Sequence, residues 1–183
     1  SERELFKKFV EYIESDYPDI MSGWNSEFFD MPYIINRCER LLGEEWKNRL
    51  SPSGKVYSRT IRGQFGIETT RHYIEGISLI DYLDVYKRFS IGVKESYKLD
   101  NIGAAELGEK KIDFGNMNLA TLSDDDWQTF VEYNIQDVRL LKHLEEKLRY
   151  TELIKMLAYV GLTSFEAALG SLSVINGATA VIA

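Results

Sequence analysis

The chain has 183 residues and a formal net charge of −7, with 44% hydrophobic, 13% aromatic and 28% charged residues. This length suits one domain, and the composition is typical of a soluble globular protein. No apolar stretch is long enough to span a membrane, and the N-terminal segment does not resemble a signal peptide. The single cysteine, Cys38, excludes an internal disulfide and a cysteine-based zinc site. The negative charge excludes nucleic-acid binding by overall electrostatics alone. Length, composition and the N-terminal segment together predict one intracellular domain with no membrane contact.

The first half of the chain alternates predicted helices and strands. Apolar residues at helical spacing predict a helix over 2–16, and "IMSGW" predicts a short buried strand. A second helix is predicted from Asp30 to about Leu42, where Pro32 suits the first turn. The segment 54–75 is rich in β-branched and aromatic residues, which predicts a β-hairpin turning near "RGQFG".

The second half is predicted to be mostly helical. "GISLI" predicts a strand, and "DYLDVYKRF" a short helix capped by Asp81, with Asp84 on its surface. "SYKLDNIGAAELG" predicts another helix, capped by Ser96. The longest helix is predicted from about 124 to 149 or beyond, and the tail after 161 predicts one short helix and an apolar end of small residues.

The longest predicted helix carries a carboxylate on its apolar face. At about 100° per residue, Asp137 falls within an arc formed by Trp127, Phe130, Val131, Val138, Leu140, Leu141, Leu144 and Leu148. A buried, ionised aspartate is costly unless it is paired. Asp137 is therefore either paired with a Lys or Arg of another element or part of a metal or catalytic site, with Tyr133 one turn away on the same face.

Asp30 and a basic segment are the other candidate functional features. Asp30 precedes "MPYIINR", where an aspartate is typical of a helix N-cap; the alternative is a ligand role. Together with Asp137 it would place two carboxylates from different helices in one core, which suggests a Mg²⁺ or Mn²⁺ site. Between Trp46 and His72 the chain is locally basic, and this segment is either a solvated hairpin or a DNA contact.

Several motifs in order resemble one known family. "SGWNSEFFDMPYIINR", "RLSPSGKV", "GISLIDYLDVYKRFS", "SYKLDNI" and "YNIQDV" resemble the exonuclease region of family B DNA polymerases, in particular those of T-even type phages. Each motif alone is a weak signal, but five in register are a strong one. The resemblance implies a DNA-replication enzyme of a phage-infected cell, acting in the cytoplasm as a proofreading 3′–5′ exonuclease.

The resemblance also implies a fold and a set of site residues. The fold is a helix-rich α/β, RNase H-like (DEDDy exonuclease) fold with an inserted β-hairpin. Asp30 and Asp137 would hold two divalent ions, and Tyr133 would orient the attacking water. Asn25 and Phe29 match positions near the terminal nucleotide; the alternatives are a loop hydrogen bond for Asn25 and a core position for Phe29. In the hairpin, Arg59 and Arg62 would contact the DNA.

One expected motif is not present in this sequence. No aspartate is followed two positions later by glutamate, so the family's first exonuclease motif and the strands that carry it are not found. We therefore expect residues 1–160 to be an incomplete exonuclease domain and residues 161–183 to begin the segment that leads to the polymerase portion. The chain is expected to be a fragment or a split-gene product, inactive or weak alone and completed by the remaining polymerase segments. The alternative is a non-catalytic module that binds DNA or docks to replication partners.

Overall fold

The computed structural model describes residues 1–62, 68–108 and 127–182. Helices and strands alternate in the first half of the chain, and the second half is mainly helical. In chain order they are α1 (Glu2–Ser15), β1 (Ile20–Gly23), α2 (Asp30–Leu42), α3 (Glu44–Asn48), β2 (Val56–Arg62), β3 (Glu68–Ile74), β4 (Ser78–Asp81), α4 (Tyr82–Phe89), α5 (Leu99–Leu107), α6 (Trp127–Leu148), α7 (Tyr150–Gly161), α8 (Phe165–Ala168) and α9 (Ser171–Ile182). None of the described helices is long and apolar enough to cross a membrane.

The described strands form two small sheets. β1 and β4 pair in parallel, with Ile20 opposite Ser78 and Gly23 opposite Asp81. β2 and β3 form the predicted antiparallel hairpin, in register from Val56 opposite Ile74 to Arg62 opposite Glu68. Helices and small sheets together confirm the predicted α/β class at this level.

The core consists of three clusters that join these elements. The first packs α1 and α2 against the base of the hairpin and includes Val10, Cys38 and Leu50. The second packs β4 and α4 against α7 and α8. The third packs α4 against α5 and α6, around residues such as Tyr86 and Leu144. Cys38 is fully buried, where a free cysteine packs as a small apolar side chain.

The boundaries of two predicted helices differ in the structure. Helix α5 begins at Leu99 and its N-cap is Lys98, which makes no side-chain capping bond, so the prediction of Ser96 as cap is wrong. The Ser96 hydroxyl instead accepts a hydrogen bond from the Lys98 N–H at 3.4 Å, as serines do in turns. Helix α6 ends at Leu148 because Arg149 adopts a left-handed conformation with φ 54°. The predicted start of this helix and the predicted hairpin turn lie outside the described residues.

The apolar tail is more helical than the sequence indicated. The prediction of one short helix is wrong, since α8 is followed by the twelve-residue helix α9. Helices α7 and α9 approach closely at two glycines: a Cβ at Gly177 would overlap the carbonyl of Gly161, and a Cβ at Gly161 would lie 2.8 Å from the Cα of Val174. This packing lets a segment of small residues form a helix against α7.

Candidate active site

The site is built at the carboxyl ends of β1 and β4. Because these strands are parallel and Gly23 lies opposite Asp81, the loop after β1 and the start of α4 meet at one edge. In open parallel sheets such edges are where ligands bind. Asn25 and Phe29 in this loop, and Asp30 directly after it, therefore lie near the edge where a ligand of such a sheet binds.

A buried carboxylate holds this loop in place. Asp81 is only 5% exposed and accepts three backbone hydrogen bonds: from Asn25 at 2.9 Å, Glu27 at 3.2 Å and Leu83 at 3.0 Å. The bond from Leu83 confirms Asp81 as the cap of α4. The other two bonds, which the sequence did not indicate, fasten the β1–α2 loop. Burial raises the pKa of Asp81, while the three N–H donors oppose the shift.

The loop itself is tightly folded. A Cβ at Gly23 would lie 2.7 Å from the Cβ of Ser26, so only glycine fits there without a shift. Asn25 has φ 62°, a left-handed conformation that asparagine adopts more readily than most residues. The hydrogen bond of Asn25 to Asp81 comes from its backbone N–H. Its role near a terminal nucleotide stays a prediction.

Asp30 is the first residue of α2 rather than its cap. The N-cap is Phe29, which makes no side-chain capping bond, so the interpretation of Asp30 as the cap is wrong. The residue is solvent-exposed, but partial burial of its carboxyl raises its pKa; its own backbone N–H opposes this shift and the charge of Asp81 adds to it. Phe29 is 69% exposed, so of its two predicted alternatives the core position is wrong.

Tyr133 and Asp137 line one cleft together with the β1–α2 loop. This cleft has a volume of about 390 Å³, and its walls include Trp24, Asn25, Tyr133 and Asp137. Asp137 is half-buried, in line with its predicted position on the inner side of the helix. Asp30 is not among the lining residues, so the structure brings Asn25, Tyr133 and Asp137 together and leaves Asp30 at the far end of the loop.

The buried face of α6 is narrower than the sequence predicted. Leu140 and Leu144 are buried, but Trp127 is 64% and Val138 is 70% exposed, so their assignment to the core is wrong. The buried part lies over α5, where a Cβ at Gly103 would come within 2.7 Å of Leu140. The part of α6 that carries Tyr133 and Asp137 therefore borders the cleft rather than a continuous core.

An aromatic cluster supports the floor of the cleft. Trp24 packs within 5.8 Å of the Tyr86 ring, and its indole N–H donates to the carbonyl of Tyr97 at 3.1 Å. The Tyr86 hydroxyl donates to Glu106 at 2.6 Å, and burial together with this acceptor raises the pKa of Tyr86 to about 12. These contacts fix α4 and α5 beneath the loop.

The hairpin presents one face that is both aromatic and cationic. Tyr57 and Tyr73 lie opposite each other and stack, with ring centroids 5.2 Å apart and planes 16° apart. The Arg59 guanidinium lies 5.1 Å from the Tyr57 ring and 5.8 Å from the Tyr73 ring, and Lys55 lies 5.4 Å from Tyr57. We call these four residues the aromatic-cationic face. The alternation of strand residues places them on one side and could have identified the face from sequence.

The two arginines predicted to bind DNA lie on opposite faces of the hairpin. Residues 59 and 62 are an odd number apart along β2, and successive side chains of a strand alternate. Arg59 belongs to the aromatic-cationic face, and Arg62 points to the other side. Both are exposed, so neither is excluded from a DNA contact.

Comparison with known proteins identifies the class. Residues 1–102 match the sequence profile of the family described as "DNA polymerase family B, exonuclease domain". This chain belongs to that family.

Individual relatives cover most of the chain. It is 32% identical over 166 residues to the DNA-directed DNA polymerase of Enterobacteria phage T4, and 34% identical over 161 residues to that of Escherichia phage RB69. A DNA polymerase of Thermococcus aggregans is 27% identical over 146 residues. The matched regions cover 90%, 87% and 76% of this chain, but only 18%, 17% and 7% of the respective relatives.

Proposed function

We propose that this chain is the proofreading 3′–5′ exonuclease portion of a DNA-directed DNA polymerase. It would remove nucleotides from single-stranded DNA 3′ ends by metal-assisted hydrolysis, in the cytoplasm of a phage-infected cell. The main support is the cleft that Tyr133 and Asp137 share with Asn25, on the loop that leads to Asp30. Membership in the exonuclease family supports the reaction class. The remaining polymerase segments are its partners, and activity without them is weak or absent.

The proposal includes an RNase H-like arrangement of the domain. Residues 1–160 form the exonuclease domain, and residues 161–183 begin the segment that leads to the polymerase portion. The parallel pairing of β1 and β4, with the candidate site at their carboxyl ends, supports this arrangement.

The donor chemistry of the site suits Mg²⁺ or Mn²⁺. Asp30 and Asp137 would supply carboxylate oxygens, which these ions prefer. Within residues 1–62, 68–108 and 127–182, no group of three or more His, Cys, Asp or Glu side chains could hold a metal ion. Asp137 lines the cleft and Asp30 lies outside it, so the two carboxylates would be only part of a ligand set that the remaining polymerase segments complete. Such ions, when bound, provide Lewis-acid activation of water and neutralise charge at the scissile phosphate.

The other residues would position the substrate. The Tyr133 hydroxyl, in the cleft, would orient the attacking water. The Asn25 amide would hold the sugar or phosphate of the terminal nucleotide, and the exposed ring of Phe29 would brace its base. Arg59 and Arg62 would contact phosphates of the strand.

Nucleotide release from an end-labelled single strand tests this function. We expect Mg²⁺-dependent release when the remaining polymerase segments are supplied, and a loss of about 100-fold or more in Asp30→Asn and Asp137→Asn. The matched control is Asp16→Asn, an exposed carboxylate at the end of α1, which should keep wild-type activity. Release that needs no metal, or that Asp137→Asn leaves unchanged, would contradict the proposal.

A second measurement works on the 183-residue chain alone. Mn²⁺ broadens the resonances of nearby amides, so titration should broaden those of Asn25 and Asp137 before others. Asp137→Asn should weaken this effect, and Asp16→Asn should not. Broadening spread evenly over surface carboxylates would argue against a site here.

The alternative is a non-catalytic DNA-binding or replication-partner docking module. It is favoured by the aromatic-cationic face, because stacked rings and cations are what single-stranded nucleic acid binds. It predicts salt-sensitive DNA binding that survives Asp30→Ala and Asp137→Ala but falls in Arg59→Gln and Arg62→Gln. Because Arg59 lies beside the tyrosines, Arg59→Gln should have the larger effect.

A further inference from the structure

An ion pair joins the hairpin to the loop that carries the candidate site. The Nε atom of Arg71, on β3, lies 2.5 Å from Oε1 of Glu27, in the loop between β1 and α2. The Glu27 side chain is only 21% exposed, whereas that of Arg71 is 45% exposed. A mostly buried carboxylate of the loop is therefore paired with a cation supplied by the hairpin.

Glu27 depends on this arginine for charge balance. Burial raises the pKa of Glu27, Arg71 opposes that shift, and the charges of Asp84 and Asp81 add to it. Among the described residues, Oε1 of Glu27 has no aligned hydrogen-bond donor, so the ion pair is what offsets its burial. Without Arg71, the Glu27 carboxylate would face the charges of Asp84 and Asp81 with no other ion-pair partner in the described part of the chain.

Two separate interactions hold the loop in place, one from β4 and one from β3. The buried Asp81 of β4 holds the backbone N–H groups of Asn25 and Glu27. Arg71 holds the Glu27 side chain from β3, which pairs with β2 in the other sheet. The hydrogen bonds come from the sheet that β1 forms with β4, whereas the ion pair links the loop to the hairpin.

We infer that Arg71 and Glu27 are positioning residues that register the β1–α2 loop, with Asn25 and Asp30, against the hairpin. This inference rests on the proposed function in so far as the loop serves an exonuclease site. A bound DNA strand that displaces the hairpin would change the order of this loop through the ion pair.

Amide hydrogen exchange of the 183-residue chain tests the link without any activity. In Arg71→Gln, the Asn25 and Glu27 amides should exchange about tenfold faster, because the loop opens locally more often. The Val10 amide in α1 should be unchanged, which shows that the fold is intact. The matched control is Arg59→Gln: this residue lies directly opposite Arg71 and carries the same charge, but its guanidinium lies over the rings of Tyr57 and Tyr73.

Two further variants distinguish positioning from a general loss of structure. Arg71→Lys keeps the cation and should restore most of the protection. In the Arg71→Gln background, Glu27→Gln should add no further acceleration, because the interaction is already lost. Unchanged exchange of Asn25 and Glu27 in Arg71→Gln, or an equal increase in Arg59→Gln, would overturn the inference.

Kinetics of the completed polymerase separate this inference from the proposed function. Arg71→Gln should lower kcat for single-stranded DNA more than it raises KM, since the disordered loop misplaces the terminal nucleotide while the Arg59 contact with the strand is kept. Arg59→Gln should mainly raise KM. If no nuclease activity is found, the proposed function fails, but the exchange result still decides whether the ion pair positions the loop.

Discussion

Replacing Asp81 by alanine tests whether one buried carboxylate organises the site. The substitution removes the acceptor for the N–H groups of Asn25, Glu27 and Leu83. Loss of the α4 cap costs about 1 kcal/mol. Each loop hydrogen bond to a charged acceptor contributes about 1.5 kcal/mol or more.

Relief from burying the charge offsets part of this cost, because burial already raises the pKa of Asp81. The net loss in the free energy of unfolding should be about 2–3 kcal/mol, which lowers Tm by about 5–10 °C for a chain of this size. Asp81→Asn keeps one acceptor oxygen and should cost less, about 1 kcal/mol.

Urea and thermal unfolding of the chain measure these differences. Asp84→Ala is the matched control, since it removes an exposed carboxylate from the first turn of the same helix and should change stability by less than about 0.5 kcal/mol. If Asp81→Ala is no more destabilising than Asp84→Ala, the three hydrogen bonds do not stabilise the loop and the reasoning fails.

Two further predictions concern packing and pH. Gly177→Ala should destabilise the chain by about 3 kcal/mol in thermal unfolding, because its Cβ would overlap the carbonyl of Gly161 and separate α7 from α9. Gly170→Ala is its control, since a Cβ there would make only an ordinary contact, and equal losses would refute the close approach. The hydrogen bond that Tyr86 donates to Glu106, and to a smaller extent the one from Lys94, lowers the pKa of Glu106. A lowered carboxyl pKa stabilises the fold above the unfolded-state value and loses that effect as pH falls through the folded-state value. Glu106→Gln should therefore cost about 1–2 kcal/mol in urea unfolding at about pH 7 and progressively less as the pH falls below the ordinary carboxyl range, whereas a pH-independent cost would contradict this assignment.

Features encoded by short-range patterns could be predicted from the sequence. The hairpin, α2 and the strand before Asp81 follow from residue type and periodicity. The cap of α4 follows from an aspartate placed before a helical pattern. Each of these signals depends on neighbours within a few residues, so one sequence is sufficient to read it.

Features that depend on distant contacts could not be predicted. The second role of Asp81 requires the β1–β4 register, which brings it beside a loop more than fifty positions earlier in the chain. The exposure of Trp127 and Val138 shows that other elements cover only the side of α6 that carries Leu140 and Leu144, and the apolar pattern of α6 does not reveal how wide that covered side is. The small apolar residues of α9 give no clear helical pattern, and α9 forms because Gly161 and Gly177 permit close packing against α7.

The register of the hairpin pairs two arginines across its strands. Arg59 lies directly opposite Arg71, and like charges at such positions repel. Glu27 neutralises one of them, and the two tyrosine rings accommodate the other. A polyanion laid along this surface would remove the remaining repulsion, and so would added salt. The hairpin should therefore be least stable at low ionic strength, and its own melting should report on any polyanion that binds it.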